Sequence, residues 1–212
     1  MRTGKLPSIG WVYPFALTWM CFSWMSAAAG PLEMDATAVV SGVAALMLEA
    51  DAAQSVSGGC INAAWRIPSP AGTVFLKTNR ADAVDLFEAE ADGLNELRAA
   101  GEIRVPEVID VGVINGQAYI DIEKLELAPT TPDVERAFGE QLASLHRHTQ
   151  DEYGWFRDNT IGLTPQRNGP GSDWVAFFRK HRLGFQVELA VSNGYGDDVA
   201  ELGQRLSARL PD

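Results

Sequence analysis

Residues 57–90 read SGGCINAAWRIPSPAGTVFLKTNRADAVDLFEAE, and this segment predicts a glycine turn, two β-strands and a helix in close succession. The turn is Ser57-Gly58-Gly59, and a first strand is predicted from Cys60 to Ile67. The run from Thr73 to Lys77 is short, β-branched and aromatic, as is typical of a buried sheet strand. Lys77 is therefore expected at the end of a rigid element. Helical spacing follows from Ala81 to Ala100.

Glu90 is the unusual residue of this predicted helix, because it falls in the middle of the apolar stripe. The stripe consists of Ala83, Leu86, Phe87, Leu94 and Leu97, and the acids of the opposite face are Asp85, Glu88, Asp92 and Glu96. A carboxylate aimed at a core needs a cation, and Lys77 is the nearest candidate. A strand lysine held by a helix glutamate is how kinase-like folds direct an ammonium at nucleotide phosphates.

Simpler interpretations of these features remain open. Two glycines before a strand also form plain turns, a lysine at a strand end is often solvated, and an acid on a stripe can mark its border. Taken together and in this order, the features favour a nucleotide-binding lobe.

Composition excludes several classes of protein. The chain has 212 residues and a net charge of -11. Because no segment concentrates Lys and Arg, nucleic acid is not an expected partner. Cys21 and Cys60 do not make a disulfide framework, and no Cys/His cluster indicates structural zinc. A reducing, cytoplasmic compartment fits this composition best.

Residues 1–33 differ from the rest of the chain. Arg2 and Lys5 precede an apolar run from Ile9 to Met25, and small residues at 27–29 follow, which is the pattern of a secretory signal. Pro14 and the modest length argue against a membrane span. We prefer the interpretation that residues 1–33 are a spurious extension and that Met34 is the true start. A domain that uses ATP would lack this cosubstrate outside the cell.

Residues 34–127 are predicted to form one lobe. A helix of small residues is expected from Ala36 to Ala50, and strands from Glu107 to Val113 and from Gln117 to Glu123. Asn115-Gly116 between these two strands is a strong hairpin signal. We expect five antiparallel strands and one main helix, followed by a linker that ends at Pro129.

Residues 128–212 are predicted to be mainly helical. Thr131 is the expected N-cap of a helix that starts at Pro132 and ends near His146 and His148. That histidine pair could ligate a metal, but it also suits a last helical turn. A long loop at 151–171 is expected to be functional. A helix capped by Ser172 and running through Val191, and a last helix at 197–210, are predicted to follow.

Several motifs together resemble the fructosamine kinase (ketosamine-3-kinase) family, which is related to the aminoglycoside phosphotransferases. The resemblance covers about Val56 to Leu189. Its most specific part is the loop block from Gly154 to Asn168. The motifs are GGCIN at 58–62, FLKTN at 75–79, FEAEA at 87–91 with GL at 93–94, VP at 105–106, LASLH at 142–146, YGW at 153–155, DNTIG at 158–162, TPQRN at 164–168, Trp174 and RL at 182–183.

This resemblance implies an α+β, protein-kinase-like fold and ATP- and Mg²⁺-dependent phosphorylation of a sugar hydroxyl on a ketosamine, either a small molecule or bound to a protein. Such a reaction repairs glycation damage. By resemblance, Gly58, Gly59 and Cys60 cover the phosphates, and Lys77 pairs with Glu90 and reaches them. By the same resemblance, Glu123, Lys124 and Leu125 hold the adenine.

Cys60 has two interpretations. Beside two glycines and near Lys77 it would be a reactive thiolate, whereas a free cysteine at the start of a strand is often a small buried hydrophobe.

The sequence departs from the family in one large respect. Phosphoryl transfer in this fold uses a His-Gly-Asp loop, a nearby Asn and a later metal-binding Asp, and no histidine here is followed by Gly-Asp. The chain therefore resembles the N-terminal part of such a kinase, with no catalytic residue and no metal ligand assigned. It would be inactive alone and would expose Phe177, Phe178 and Leu183. The alternatives are a non-catalytic nucleotide- or partner-binding module and a small-molecule kinase of the aminoglycoside type.

Overall fold

A computed structural model describes residues 52–57, 61–69 and 72–210. The predicted leader at 1–33 and the predicted helix at 36–50 lie outside these residues, as do Gly58, Gly59 and Cys60. The described residues divide into two compact units, one ending at Leu145 and the other starting at His146. The predicted boundary at residue 127 stays a prediction.

The first unit contains a five-stranded antiparallel sheet with the strand order β1-β2-β3-β5-β4, which confirms the predicted architecture. β1 has only two residues. This is too few to show a sequence pattern, so the sequence did not predict its position. The strands are β1 Gln54–Ser55, β2 Ala63–Ser69, β3 Gly72–Arg80, β4 Val108–Ile114 and β5 Gln117–Glu123.

β3 is longer than the sequence predicted, so Lys77 lies inside the strand and not at its end. The polar residues Thr78 and Asn79 suggested a strand end, but both are buried. Each is satisfied by hydrogen bonds to residues that precede β3 in the chain, which removes the cost of burying a polar side chain. The paired strand β2 begins at Ala63, later than predicted.

The hairpin between β4 and β5 confirms the turn prediction. Asn115 and Gly116 both have positive φ angles, 49° and 78°, as a type I′ turn requires. β5 spans the predicted residues, whereas β4 starts one residue later than expected.

Helix α1, Val84–Ala100, covers one face of this sheet and follows a 3₁₀ turn at Ala81–Ala83. It ends at Gly101, whose left-handed φ of 72° suits glycine. We call the covered side the helix face; its core residues are Phe87 and Ala91 of α1 and Ala118, Ile120 and Ile122 of β5. The opposite side, the far face, has a second core made of Ile67, Val74, Leu76 and Tyr119.

Helix α2, Pro132–Leu145, starts at the predicted cap. The Thr131 hydroxyl accepts a hydrogen bond from the Val134 amide at 3.3 Å. Its last residue, Leu145, is buried against Leu97 and Val105, so the end of α2 packs within the first unit.

In the second unit, the segment predicted as one long loop contains a small hairpin. Its strands are β6 Asn159–Ile161 and β7 Thr164–Gln166, and the loop is closed at its base by a bridge between Tyr153 and Gly171. The strands are three residues each, too short for an alternating pattern to reveal them.

The helix predicted from Ser172 to Val191 is interrupted. It consists of α3 Trp174–Phe178, a π-helical segment Arg179–Gly184 and α4 Phe185–Ser192. Its cap is Asp173, not Ser172, because the Asp173 carboxylate accepts from the Ala176 amide at 2.6 Å. Helix α5, Asp197–Ser207, follows. Among the described residues, no helix combines the length and apolar composition that crossing a bilayer requires.

Candidate functional site

Lys77 and Glu90 form the predicted ion pair on the helix face. Lys77 Nζ lies 2.5 Å from Glu90 Oε1, and the two side chains are 20% and 7% exposed. The pair thus joins the middle of β3 to the middle of α1. The ammonium keeps some access from outside the lobe, whereas the carboxylate has almost none.

The position of the pair follows from two sequence periods. Lys77 lies opposite Ile120 in the ladder between β3 and β5, so its side chain emerges on the helix face beside an apolar neighbour. Glu90 is one turn after the buried Phe87 on the inner side of α1, whereas Glu88 is exposed. Helical spacing therefore predicted which of the five acids of the helix pairs with Lys77.

Burial raises the pKa of the Glu90 carboxyl, and the Lys77 ammonium acts against this rise. Oε1 receives the lysine hydrogen bond, but Oε2 is buried without a hydrogen-bond partner in the described structure. A single ammonium therefore stabilises the charge of a nearly buried carboxylate. This arrangement holds the lysine side chain in one direction. Moving its ammonium away would leave the charged Glu90 carboxylate buried among apolar groups without this cation.

Asn79 lies beside the candidate site, and the sequence analysis assigned it no role of its own. It lies two positions after Lys77 on the same side of β3. Its amide donates to the Ile61 carbonyl at 3.2 Å and to Asn62 Oδ1 at 2.7 Å. These contacts fix the chain directly after the Gly58-Gly59-Cys60 segment. The sequence did carry a signal for Asn79. Lys77 and Asn79 are two residues apart in a predicted strand, and this spacing places both side chains on one face.

The predicted adenine contacts lie at the end of β5. The Glu123 carboxylate accepts hydrogen bonds from Arg104 and, at 3.2 Å, from the Glu107 amide. These bonds, the Arg104 bond first, hold the pKa of Glu123 below its usual range. The Glu123 side chain therefore braces the strands, and Lys124 forms an ion pair with Glu126. Because the ladder ends at Glu123, the backbone groups of Lys124 and Leu125 lie beyond the sheet hydrogen bonds.

Neither histidine of the proposed pair belongs to a metal site in the part of the chain described. Within residues 52–57, 61–69 and 72–210, no three His, Cys, Asp or Glu side chains are grouped to hold an ion.

In the second unit, a polar network fixes the loop block that resembles the family most specifically. Arg182 donates to Asn168 Oδ1 at 2.8 Å and to the Arg167 carbonyl at 2.6 Å. The backbone N–H of Asn168 donates a hydrogen bond to Asp158 Oδ1 at 2.8 Å. The Arg182 guanidinium also lies 4.7 Å from the centre of the Phe177 ring. The expectation that Phe177 is exposed was wrong, because this contact and the ring of Trp174 cover it.

Comparison with known proteins agrees with this geometry. The family model described as fructosamine kinase matches residues 34–211. A chloroplastic protein-ribulosamine 3-kinase of Oryza sativa subsp. indica is 41% identical over 156 residues, which are 72% of this chain and 45% of the relative. The chloroplastic protein-ribulosamine 3-kinase of Arabidopsis thaliana is 40% identical over 148 residues, 68% of this chain and 45% of that protein.

The fold is also that of a solved structure. A crystal structure described as that of a putative fructosamine-3-kinase from Haemophilus somnus 129PT superposes with a TM-score of 0.68 at 26% identity, covering 82% of this chain and 62% of that one. The chain spans about half the length of the curated relatives that it matches. With the family match, the protein-kinase-like lobe and the Lys77–Glu90 pair in agreement, this chain belongs to the fructosamine kinase family.

Proposed function

We propose that this chain supplies the nucleotide-binding lobe and part of the substrate lobe of an ATP-dependent ketosamine kinase. The substrate would be a fructosamine-type glycation adduct, free or on a protein, and the product would be phosphorylated on a sugar hydroxyl. The reaction would serve protein deglycation. The names of the relatives, which are ribulosamine 3-kinases, support this substrate class.

The observation that carries the proposal is the Lys77–Glu90 ion pair at 2.5 Å in the centre of the first unit. A lysine fixed by a helix carboxylate is the part of a kinase lobe that contacts the nucleotide phosphates. ATP would supply the transferred phosphoryl group. Lys77 would bind the phosphates as a point charge, and Glu90 would hold its ammonium in place.

The remaining nucleotide contacts are assigned by resemblance. Gly58, Gly59 and Cys60 would cover the phosphates, and the chain at Glu123, Lys124 and Leu125 would meet the adenine through its backbone. Asn79 would support these contacts, since its side-chain amide holds Ile61 and Asn62 in place next to the glycine segment.

No catalytic base and no Mg²⁺ ligand is assigned to this chain. Its three histidines are each followed by Arg or Thr and never by Gly-Asp, and the described residues contain no group of three or more His, Cys, Asp or Glu side chains that could hold an ion. We therefore expect the chain alone to bind ATP without transferring phosphate. We also propose that it acts in the cytoplasm, where ATP is present.

Calorimetric titration with ATP and with adenosine tests the nucleotide site. Lys77→Ala should weaken ATP binding at least tenfold, because a hydrogen bond to a charged group contributes about 1.5–3 kcal/mol. Adenosine binding should be unchanged, since adenosine has no phosphate for Lys77 to contact. Lys180→Ala serves as the matched control, because Lys180 is an exposed lysine in the other unit.

The substrate class needs a second measurement. A version of the chain that carries a His-Gly-Asp catalytic segment should phosphorylate a fructosamine-type adduct of lysine in preference to an aminoglycoside. Equal ATP affinity of the wild type and Lys77→Ala would contradict the nucleotide site, and a preference for the aminoglycoside would contradict the ketosamine proposal.

A further inference from the structure

The helix face of the sheet carries an arginine beside the part that α1 covers. α1 packs mainly against β4 and β5, so the side chains of β2 on this face lie beyond the helix. Arg66 of β2 is paired with Phe75 in the ladder between β2 and β3. Phe75 packs against the helix-face core, and paired residues of neighbouring strands lie on the same face of a sheet. Arg66 therefore lies on the helix face, as Lys77 does.

Two rows of paired side chains cross this face from strand to strand. The first row contains Lys77 and Ile120. The second row contains Arg66, Phe75 and Ile122. The rows are two residues apart along each strand, which is about 7 Å. The second row therefore continues the surface that starts at the ammonium proposed to bind the phosphates.

The second row lies toward the end of β5, where the adenine contacts are proposed. Ile122 is followed by Glu123, the last residue of β5, and then by Lys124. The pKa of the Glu126 carboxyl is lowered first by its hydrogen bond from Lys124, and the charge of Arg66 contributes to the same lowering. The Arg66 guanidinium is therefore close to the segment proposed to meet the base.

Arg66 is available to a ligand. It is exposed, and in the described part of the chain its guanidinium takes part in no hydrogen bond or ion pair. The ammonium of Lys77, by contrast, is held by Glu90. Phe75, beside Arg66 in the row, is only partly buried. A planar cation and an aromatic ring thus lie side by side at the base end of the proposed nucleotide site.

We propose that Arg66 and Phe75 form the platform on which the purine base of the nucleotide stacks. The inference rests on the proposed function, since the base reaches this platform only if the phosphates lie at Lys77. Bases stack on aromatic side chains, and arginine adds a cation–π contribution. The platform would contact the flat face of the base, whereas the backbone after β5 would contact its edge.

Calorimetric titration of the full chain with ATP and with adenosine separates the platform from the phosphate site. Arg66→Ala should weaken the binding of both ligands at least about fivefold, which is the effect of losing a stacking contact to one base. Lys77→Ala should weaken ATP binding alone. Arg66→Lys should not restore either affinity, because an ammonium lacks the planar guanidinium. Arg136→Ala, at an exposed arginine of α2, is the matched control and should bind both ligands as the wild type does.

Phe75→Leu tests the other half of the platform. Leucine keeps an apolar side chain against the helix-face core and removes the aromatic ring, so the variant should unfold cooperatively in a thermal melt. It should bind ATP and adenosine more weakly than the wild type, by similar factors.

The outcomes distinguish the platform from the nucleotide site itself. If Lys77→Ala weakens ATP binding but Arg66→Ala leaves both affinities unchanged, the platform is wrong and the nucleotide site stands. A loss for Arg66→Ala that is confined to ATP would place Arg66 at the phosphates and would also overturn the platform, as would full recovery in Arg66→Lys. Absence of ATP and adenosine binding by the wild type would overturn the proposed function and the platform together.

Discussion

The helix face and the far face of the five-stranded sheet each bury a carboxyl group, and the two groups have opposite surroundings. On the helix face, Glu90 meets the ammonium of Lys77 at 2.5 Å. On the far face, Asp121 lies directly opposite Asp110 in the ladder between β5 and β4. Its Oδ1 is buried and has no hydrogen-bond partner within the described structure.

The neighbours of Asp121 favour its neutral form. Both oxygens of Asp110 accept hydrogen bonds, Oδ1 from the Val111 amide at 2.9 Å and Oδ2 from the Tyr119 hydroxyl at 2.6 Å. Burial first, and then repulsion from Asp110, raises the pKa of Asp121 to about 7. Burial and the Asp110 contact raise the pKa of Tyr119 to about 12.

This contrast separates a carboxylate that is paired with a cation from one that has no cation beside it. A buried acid can remain charged if a cation accompanies it, or it can take up a proton. Only the first solution leaves an ammonium fixed in space, and it occurs on the face that carries the predicted nucleotide site.

Glu90→Ala should produce the largest effect on stability. Removing the carboxylate takes the Glu90 ion pair away from the mostly buried Lys77 ammonium, which costs on the order of 3 kcal/mol. Chemical denaturation of the variant and the wild type measures this difference, and ATP titration should show weaker binding in the same variant.

The control is Glu88→Ala, two residues away on the exposed side of α1. It should change the free energy of unfolding by less than about 0.5 kcal/mol. Equal losses from the two substitutions would remove the distinction between the inner and outer acids of this helix.

Asp121→Asn should stabilise the protein at alkaline pH. The pKa of Asp121 rises from its ordinary value of 3.8 to about 7 on folding. The folded protein thus holds this proton between about pH 4 and pH 7 while the unfolded chain has released it, so wild-type stability falls as the pH rises through this window. With solvent screening allowed for, the variant should be more stable by about 2 kcal/mol at pH 8.

The difference between variant and wild type should shrink steadily as the pH is lowered to 4. Asp82→Asn, at an exposed acid, should follow the wild-type curve. A gap between Asp121→Asn and the wild type that stays constant from pH 4 to pH 8 would show that the Asp121 proton is not the cause.

Asn79→Ala should have the next largest effect. The substitution removes the amide contacts to Ile61 and Asn62 and the acceptor of the Arg80 amide. A cost of about 1.5 kcal/mol is expected, because each hydrogen bond contributes about 1 kcal/mol and water replaces part of it. Asn95→Ala, on the exposed side of α1, should be within about 0.5 kcal/mol of the wild type.

Ligand binding separates a positioning role of Asn79 from a purely structural one. If Asn79 positions the chain next to the phosphates, Asn79→Ala should weaken ATP binding several-fold and leave adenosine binding unchanged. Equal losses for the two ligands would indicate that the variant only loosens the lobe.

Sequence periodicity was sufficient to predict the elements that form the helix face. The period of α1 identified Glu90, and the alternation and turn chemistry of the β4–β5 hairpin located β5. These features depend on residues close in the chain. The far face was not predictable in the same way, because Asp121 alternates with apolar neighbours as a solvent-facing residue does, yet it is 2% exposed.

Features that depend on distant partners were also missed. β3 continues past Lys77 because Thr78 and Asn79 find partners in residues 61–65, and no local pattern states this. The π-helical segment at Arg179–Gly184 has no sequence period of its own. At the start of α3, Ser172 and Asp173 are both acceptable caps, and only the geometry selects Asp173.

Thr78→Val should have the smallest effect on stability. Thr78 and Asn79 are adjacent residues on opposite faces of the sheet, so variants at these two positions compare the faces. Thr78 is fully buried on the far face, where its hydroxyl accepts a long hydrogen bond from Trp65 Nε1 at 3.4 Å. Valine keeps the branched shape and the strand preference, and Trp65 is only half-buried, so its indole N–H retains access to water. The free energy of unfolding should therefore change by less than about 0.5 kcal/mol. Thermal and chemical unfolding of Thr78→Val beside Asn79→Ala measures the contrast, and a loss for Thr78→Val as large as for Asn79→Ala would mean that polar contacts matter equally on both faces.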